Sequence, residues 1–388
     1  MDDLSEPVVS ITAHTTLSAF TAEEWDRLNT SGHPFISYGF LFALEQSGSV
    51  GEQTGWDILF LAARDKSTGS LHGALPVYVK HHSYGEYVFD HSWAHAYERA
   101  GRQYYPKLLC GVPFTPVPGP RLLYNNDHPE VATQLLDALE QIARQNGLSS
   151  AHINFINDDD RKILAEKGWM IRTGVQFHWQ NNGYKTFDDF LAKLSSRKRK
   201  TLKKERQSLT NNGVAFHQLT GKDITSAHWD RFYEFYLATI EKKWGGAYLS
   251  EDFFHQIGRT LADKILLIMA EKDNQLIAGA LNFIGKDTLY GRNWGCSEDI
   301  PYLHFETCYY QAVEFAINTG LARVEAGAQG LHKVQRGYLP VFTYSAHWVA
   351  EQTFAEAIGR FLRQEHHAVE QDAQSILSST PYHRGNDS

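Results

Sequence analysis

A segment near the carboxyl end of the chain gathers side chains that can move protons and hold anions. It runs from Val324 to Trp348 and reads VEAGAQGLHKVQRGYLPVFTYSAHW, with an acid, two imidazoles, a lysine and an arginine among glycines and a proline. Strand-like stretches precede and follow it. Glycines let a backbone approach a ligand closely, and functional side chains tend to lie on loops held by a rigid scaffold. We therefore predict that this loop forms one wall of an active site.

Acyl transfer to an amine is a reaction that these side chains could perform. The reaction needs a base, a donor to the developing oxyanion and a site for the phosphates of the acyl donor. Glu325, at the predicted end of a strand, and His332, whose ordinary pKa of about 6.5 suits proton transfer near neutral pH, are the candidate catalytic residues. In the alternative interpretation Glu325 pairs with Lys333 or Arg336 and only ties the loop down. The sequence leaves both interpretations of Glu325 open.

Further polar and aromatic residues of the second half are candidates for binding the substrate. Arginine presents a planar fork that suits phosphate or carboxylate, and an aromatic and an imidazole side chain precede a predicted helix. The predicted substrate-binding residues are Arg292, Trp294, His304, Glu306, Gln329, Lys333, Arg336 and Tyr338. Two of them have a structural alternative, since Glu306 suits the dipole of a helix start and His304 could cap that helix.

A basic segment, SSRKRKTLKKER (Ser195–Arg206), holds only one acid, Glu205. We predict a helix that ends at Asn212-Gly213. On an acidic protein this local stripe would attract a phosphate-bearing partner, such as tRNA or a nucleotide-linked precursor, although most charge runs are solvated helix faces. The predicted phosphate- or donor-binding residues are Arg197, Lys198, Lys200, Lys204, Lys243 and Trp244. Trp244 could equally fill a core position at a helix end.

Composition limits the class of protein. The chain has 388 residues, a net charge of -8 and 42% hydrophobic residues, which is typical of a soluble protein long enough for two cores. Its three cysteines form no CxxC pair, so we expect reduced thiols. No signal-peptide pattern or membrane-spanning apolar run is seen, and a cytoplasmic location is expected. Asp90, His91 and His95 have a spacing that metal ligands can have, but no further ligand pattern accompanies them. We interpret them as scattered surface residues and predict no metal site.

The helices and strands that must position these residues are predicted from the periodicity of apolar residues. Amphipathic helices are predicted at Pro129–Asn146 and Thr353–Leu377. A weak repeat places HGAL (His72–Leu75) and AGAL (Ala278–Leu281) on strands in two similar surroundings. Each half reads helix, β-meander, helix, strand, strand, which is the order of an acetyltransferase-type (GNAT) domain. We therefore predict an α/β fold with two tandem GNAT-like domains, each a mixed sheet flanked by helices, at 1–183 and 184–388.

Several longer motifs resemble the FemAB-like predicted N-acyltransferases, bacterial proteins often labelled as peptidoglycan biosynthesis or recognition proteins. The motifs are SYGFLFALEQSGSVGEQTGW, KHHSYGEYVFD, YYPKLLCGVPFTPVPGPRLL, SSRKRKTLKKER, FYEFYLATIEKKWGGAYLS, LYGRNWGC followed by PYLHFETCYYQ, and EAGAQGLHKVQRGYLP followed by TYSAHW. They extend over most of the chain, from Phe35 to Trp348. The resemblance implies tandem GNAT-like domains that transfer an acyl or aminoacyl group to an amine. The better-known Fem proteins take the group from aminoacyl-tRNA and build peptidoglycan cross-bridges.

The sequence departs from the patterns that this resemblance implies. Ala326 and Leu331 stand where we expect Pro and Glu, which places more weight on Glu325 and His332 as the base. The best match to the GNAT pyrophosphate loop is Arg292–Ser297, and it is poor, so the donor could be acyl-CoA or aminoacyl-tRNA, with no permanently bound cofactor. The expected function is an N-acyltransferase acting on an amine of a small molecule, a peptide or a peptidoglycan precursor. A non-catalytic module that recognises such a precursor is the alternative.

Overall fold

The computed structural model describes residues 9–241, 246–327 and 330–383. Its strands, in chain order, are β1 (Val9–His14), β2 (Trp56–Ile58), β3 (Phe60–Asp65), β4 (Leu71–Leu75), β5 (Val77–Lys80), β6 (Lys107–Cys110), β7 (Leu123–Tyr124), β8 (Ser150–Ile156), β9 (Met170–Gln180), β10 (Ala215–Thr220), β11 (Ile265–Lys272), β12 (Gln275–Ile284), β13 (Thr288–Cys296), β14 (Arg323–Glu325) and β15 (Leu339–Val349).

The α-helices of the described residues follow the same numbering. They are α1 (Ala22–Leu28), α2 (Tyr38–Gln46), α3 (His91–Arg99), α4 (Glu130–Gln145), α5 (Asp158–Glu166), α6 (Phe187–Lys193), α7 (Ser196–Asn211), α8 (Ser226–Glu241), α9 (Glu251–Thr260), α10 (Leu303–Phe305), α11 (Gln311–Thr319) and α12 (Gln352–Ser378). A π-helical turn, Glu306–Tyr310, joins α10 to α11. The loop after β14 contains a 3-10 helix, Leu331–Arg336, here called the 3-10 segment.

The chain forms two compact units. The first comprises Met1–Gly174 and Thr343–Ala368, and the second comprises Val175–Phe342 and Val369–Ser388. The chain thus passes from one unit to the other within β9, β15 and α12. This division differs from the contiguous domains 1–183 and 184–388 expected from the sequence, because the carboxyl half of β15 pairs with β8 of the first unit. The domain boundaries themselves stay a prediction.

The first unit contains two groups of paired strands. Strands β1, β3, β4 and β7 pair in that order, all antiparallel. The second group pairs in the order β2, β5, β6, β8 and the carboxyl half of β15. Within it, β6 and β8 are parallel and the other neighbours are antiparallel. Helix α4 packs on β3, β4 and β8. It buries Val131, Leu135 and Leu139, which are four residues apart and therefore lie on one helix face.

The second unit is built on the strand order β10, β11, β12, β13, β14 and β9. All neighbours are antiparallel except β13 and β14, which run parallel. Helix α8 packs so closely on β13 that a Cβ at Gly295 would lie 1.9 Å from the carbonyl oxygen of Phe235. Glycine is therefore required at this position of β13. Within the described residues, no helix is both long and apolar enough to cross a lipid bilayer.

Candidate active site

The parallel strand pair of the second unit ends at Glu325. Strands β13 and β14 are in register over three residue pairs, of which Tyr290 and Glu325 are the last. Strand β13 continues to Cys296, whereas the chain after β14 turns away through Gly327, whose φ is 78°. In the described residues no strand pairs with this edge of β13 beyond Tyr290. An open strand edge offers backbone donors and acceptors to an extended ligand, and the Glu325 carboxyl lies where that edge begins.

His178 faces Glu325 across the neighbouring strand. The two residues are directly paired in the antiparallel ladder of β9 and β14, and His178 Nδ1 lies 3.7 Å from Glu325 Oε1. His178 Nε2 lies 3.4 Å from Gln176 Oε1, a contact that favours the tautomer in which Nε2 carries the proton. The lone pair of Nδ1 then faces the carboxyl group. Both His178 Nδ1 and Glu325 Oε2 are buried and have no hydrogen-bond partner in the described residues.

Burial determines the protonation of this pair. It raises the pKa of Glu325 to about 8, against the opposing effect of Arg323 and Arg292. It lowers the pKa of His178 to about 3, and Arg323 and Lys333 add to that decrease. Near neutral pH the imidazole is therefore neutral, and the carboxyl group titrates close to the pH at which a base works best. Strongly perturbed carboxyl groups cluster at functional sites, and Glu325 stays the predicted general base.

The structure excludes an ion pair between Glu325 and either Lys333 or Arg336. Lys333 is buried, and its Nζ donates to the carbonyl oxygen of Gly327 at 2.8 Å. Burial lowers the pKa of Lys333 to about 8. Neither Lys333 nor Arg336 forms an ion pair with Glu325, whose cationic neighbour at the limit of ion-pair distance is Arg323, at 4.0 Å. Lys333 therefore shapes the loop backbone and does not neutralise Glu325.

The other predicted base, His332, lies in a cluster of rings. Its Nε2 is 2.9 Å from the hydroxyl of Tyr309, and its ring centroid is 5.9 Å from that of His304. His304 in turn lies 4.7 Å from the ring of Trp294. His332 is exposed, and partial burial lowers its pKa. The structure thus brings together His332, His304 and Trp294, three of the predicted site residues, but makes no hydrogen bond or ion pair between His332 and Glu325.

Three other predicted binding residues face the interior. Arg336 Nη2 lies 3.1 Å from both carboxylate oxygens of Glu205, and its guanidinium covers the ring of Phe305 at 3.3 Å. Glu306 accepts from Arg206 and from the Gln311 amide, the latter at 2.8 Å. Tyr338 is fully buried. These contacts hold α7 against the 3-10 segment and the π-helical turn, so they position the loop, and a direct contact of Arg336, Glu306 or Tyr338 with substrate stays a prediction.

The basic helix was predicted correctly as a helix, and it has two faces. Leu202, Glu205 and Leu209 are buried, whereas Arg197, Lys200 and Lys204 are exposed and Lys198 is half-buried. These four cations lie within 4 Å of no carboxylate in the described part of the chain. Arg292 lies in β13, a strand, so the Arg292–Ser297 match is not the helix-terminal loop that a pyrophosphate cradle uses.

Some predicted residues cannot be placed, and some functional candidates were missed. Gln329, Lys243 and Trp244 lie outside the described residues. His178 was missed because it lies in a strand far from Glu325 in sequence, and only strand register joins the two. Glu205 was named only as the exception in a basic run. That isolated acid was the one sequence signal for its buried ion pair with Arg336.

Comparisons with known proteins show what the chain is similar to. Among solved structures, the chain is similar to FemX, with a TM-score of 0.53, 12% identity and coverage of 88% of this chain and 98% of that one. It is also similar to L-PGS from Bacillus licheniformis, with a TM-score of 0.50, 12% identity and coverage of 86% and 98%. A third is the C-terminal domain of a putative lysylphosphatidylglycerol synthetase from Agrobacterium fabrum, with a TM-score of 0.53, 10% identity and coverage of 88% and 95%.

These likenesses confirm the expected fold class, an α/β protein of tandem GNAT-like domains. The comparison with curated proteins found no match. The family comparison matches residues 16–384 to the FemAB-like family, which is described by peptidoglycan biosynthesis and recognition. The resemblance seen in the motifs is thereby confirmed, and the chain belongs to the FemAB-like family.

Proposed function

We propose that the protein is an N-acyltransferase that moves an acyl or aminoacyl group to an amine. The observation that carries the proposal is the buried Glu325 carboxyl at the end of the parallel strand pair, with one oxygen unpartnered and a pKa raised to about 8. Membership of the FemAB-like family and the fold shared with FemX support it. The acceptor would be the amine of a peptidoglycan precursor or of another small molecule or peptide.

In the proposed reaction the amine nitrogen attacks the carbonyl carbon of the donor directly. A nitrogen–carbon bond forms, and the bond from that carbon to the oxygen or sulfur of the donor breaks. The proton lost from nitrogen passes to Glu325 and then to the leaving oxygen or sulfur. His178 would position the carboxyl group through the lone pair of Nδ1. His332 is the second candidate base, since it is exposed and its imidazole is held by Tyr309.

The donor would be held by the exposed cations of α7. The better-known Fem proteins take their group from aminoacyl-tRNA, and Arg292–Cys296 lies in strand β13. Aminoacyl-tRNA is therefore the first donor to test and acyl-CoA the second. The stripe of Arg197, Lys198, Lys200 and Lys204 would contact phosphates, with Lys333 nearer the reacting groups. Donors of both kinds are made in the cytoplasm, where we propose that the protein acts.

The decisive experiment is a donor screen with acyl-CoAs and charged tRNAs, using wild type, Glu325→Gln and Glu298→Gln. Glu298 is a partly exposed glutamate of the same unit, paired with Lys272 at 3.4 Å, and serves as the matched control. We expect Glu325→Gln to lower turnover by about 10²–10⁴-fold and Glu298→Gln to leave it unchanged. Undiminished transfer in a Glu325→Gln/His332→Ala double variant would reject this site.

A second function, recognition of a precursor without catalysis, is favoured by one observation. Leu331, at the start of the 3-10 segment, is 65% exposed, at a position where the resemblance leads us to expect an acid. An exposed leucine suits contact with a bound peptide better than proton transfer. Tight binding of a precursor with no turnover of any donor would support this function, and turnover of any donor would exclude it.

A further inference from the structure

The first unit contains a cavity that plays no part in the site around Glu325. Its volume is about 790 Å³, and it lies between β15 and the first turns of α12. A second cavity of about 410 Å³ adjoins it and shares Met170, Gly359 and Arg363 with it. Four arginines line the two: Arg144, Arg161, Arg360 and Arg363. We call the pair of cavities the arginine cavity.

Two of these arginines are held in place by aromatic rings of β15. The guanidinium of Arg144 lies 4.7 Å from the ring centroid of Trp348, and that of Arg161 lies 4.5 Å from the ring centroid of Tyr344. Arg161 also pairs with Asp158 at 2.9 Å. An arginine stacked on a ring has lost part of its side-chain freedom before any ligand binds, so the entropic cost of binding an anion there is reduced.

The other two arginines carry uncompensated charge. Arg360 and Arg363 are exposed, one turn apart on α12, and no carboxylate of the described residues lies within ion-pair distance of either. Glu356 lines the same cavity but forms no ion pair with them. The whole chain has a net charge of -8, so this local cluster of positive charge is opposite in sign to the net charge of the protein. Guanidinium groups remain charged at all ordinary pH values, and their mutual repulsion is relieved by a bound anion.

Size and charge together indicate the class of ligand. A volume of about 790 Å³ is in the range of sites for small molecules and larger than one phosphate requires. One guanidinium group can donate two parallel hydrogen bonds to the oxygens of a phosphate. The flat face of an arginine that is stacked on a ring can also stack against a nucleobase. From these observations we propose that the arginine cavity binds a nucleoside diphosphate, or a diphosphate ester of similar length, with its phosphates on Arg360 and Arg363. The site does not depend on the function proposed for Glu325.

The test measures binding of ADP and UDP to the full chain by calorimetry, at low and at high salt. The Arg360→Gln/Arg363→Gln variant is expected to weaken both ligands at least about tenfold, which corresponds to about 1.4 kcal/mol. Pyrophosphate is expected to compete, and uridine is not. Lys222→Gln/Lys286→Gln, which removes two exposed lysines of the second unit that belong to neither proposed site, is the control and should bind ADP and UDP like wild type. Because Arg360 and Arg363 are exposed, their replacement should leave the unfolding transition unchanged, and urea unfolding checks this.

Three results would overturn the proposal. The first is absence of ADP and UDP binding to wild type. The second is equal binding by wild type and the Arg360→Gln/Arg363→Gln variant, or an equal loss in the Lys222→Gln/Lys286→Gln control, which would indicate a general attraction of anions. The third is binding of tRNA alone, weakened by the same two arginine substitutions, which would replace the small ligand by a nucleic acid.

Discussion

Two buried carboxyl groups, Glu86 in the first unit and Glu325 in the second, are surrounded in opposite ways. Glu86 lies beside Asp90 in a network with two buried lysines, Lys80 and Lys107. Glu325 faces a neutral imidazole, and the cation nearest to ion-pair distance, Arg323, is 4.0 Å away. The first arrangement balances its charges internally, and the second does not.

The balanced network has the features of a structural anchor. Lys107 Nζ donates to Glu86 at 2.8 Å and to Ser83 at 2.9 Å, and it also pairs with Asp90. Burial alone would lower the pKa of Lys107, but the two carboxylates outweigh burial and raise it. The Tyr104 hydroxyl donates to Asp90 at 2.6 Å. Lys107 and Asp90 therefore stay ionised, whereas burial raises the pKa of Glu86 to about 7 despite its contact with Lys107. The contacts of Lys107 fix the segment 81–91 to β5 and β6.

The unbalanced pair has the features of a reactive group. A carboxyl group that burial keeps near its titration point can accept a proton near neutral pH. Asp90, whose pKa Lys107 holds well below its usual range against the effect of burial, is a weaker base. The comparison therefore shows that burial alone does not mark a functional carboxyl group, because burial also raises the pKa of Glu86, to about 7. What distinguishes Glu325 is that no lysine of the described residues donates a hydrogen bond to it, as Lys107 does to Glu86. The following predictions test this distinction, from the largest expected effect on stability to the smallest.

The largest effect is expected at Lys107. Replacing Lys107 by Met leaves Glu86 and Asp90 buried without their shared cation, and we expect a loss of about 3–5 kcal/mol in the free energy of unfolding. Urea unfolding at pH 7 measures it. The control is Lys162→Met, which removes an exposed lysine of the same unit that pairs with Asp159 at 3.3 Å and should cost less than about 1 kcal/mol. Equal losses in the two variants would contradict the anchoring role of the network.

The next effect concerns the pH dependence of stability at Glu325. Its pKa is about 8 in the folded protein, against an ordinary value of 4.5, so the folded state retains a proton that the unfolded state releases. The stability of wild type relative to Glu325→Gln is therefore greatest below about pH 4.5 and declines as the pH rises to about 8. At pH 7 the decline amounts to roughly 3 kcal/mol.

Urea unfolding of wild type and Glu325→Gln at pH 5, 7 and 8.5 checks this prediction. His178 is present in both proteins, so its own titration cancels in the difference. Glu298→Gln, at a partly exposed glutamate, should give a nearly constant difference over the same range. A flat difference for Glu325→Gln as well would mean that the Glu325 carboxyl is ionised near pH 5 and is not the perturbed group.

The pH profile of the proposed reaction tests whether Glu325 is the base. If Glu325 is the base, kcat/KM of wild type should rise with pH and level off above about pH 8, where the carboxyl group is ionised. His332 would give a different profile, because its lowered pKa places the rise below about 6.5. The position of the rise thus distinguishes the two candidate bases.

The smallest effect on stability is expected at the exposed cations of α7. The Lys200→Gln/Lys204→Gln variant should change the free energy of unfolding by less than about 0.5 kcal/mol, since neither side chain has an ion-pair partner in the described residues. If aminoacyl-tRNA is the donor, the same variant should raise its KM severalfold and reduce the dependence of KM on salt. An unchanged KM and salt dependence would contradict a role for α7 in binding tRNA.

The sequence predicted well those features that depend on neighbouring residues. The amphipathic helix expected at Pro129–Asn146 is α4 (Glu130–Gln145), and the one expected at Thr353–Leu377 is α12 (Gln352–Ser378). Both were readable because the periodicity of apolar residues and the signals at helix ends are local. The predicted family and fold class were also correct, because the motifs that indicate them are continuous stretches of the sequence.

The tertiary structure decided what depends on residues distant in sequence. The pairing of His178 with Glu325 comes from the register of β9 and β14, and the pairing of Glu205 with Arg336 comes from the contact of α7 with the 3-10 segment. The sequence by itself therefore determined the family, the local elements and Glu325 as a candidate base. Only the fold decided that Glu325 is buried beside an imidazole instead of a lysine, because burial and charge balance are properties of the surroundings and not of the residue.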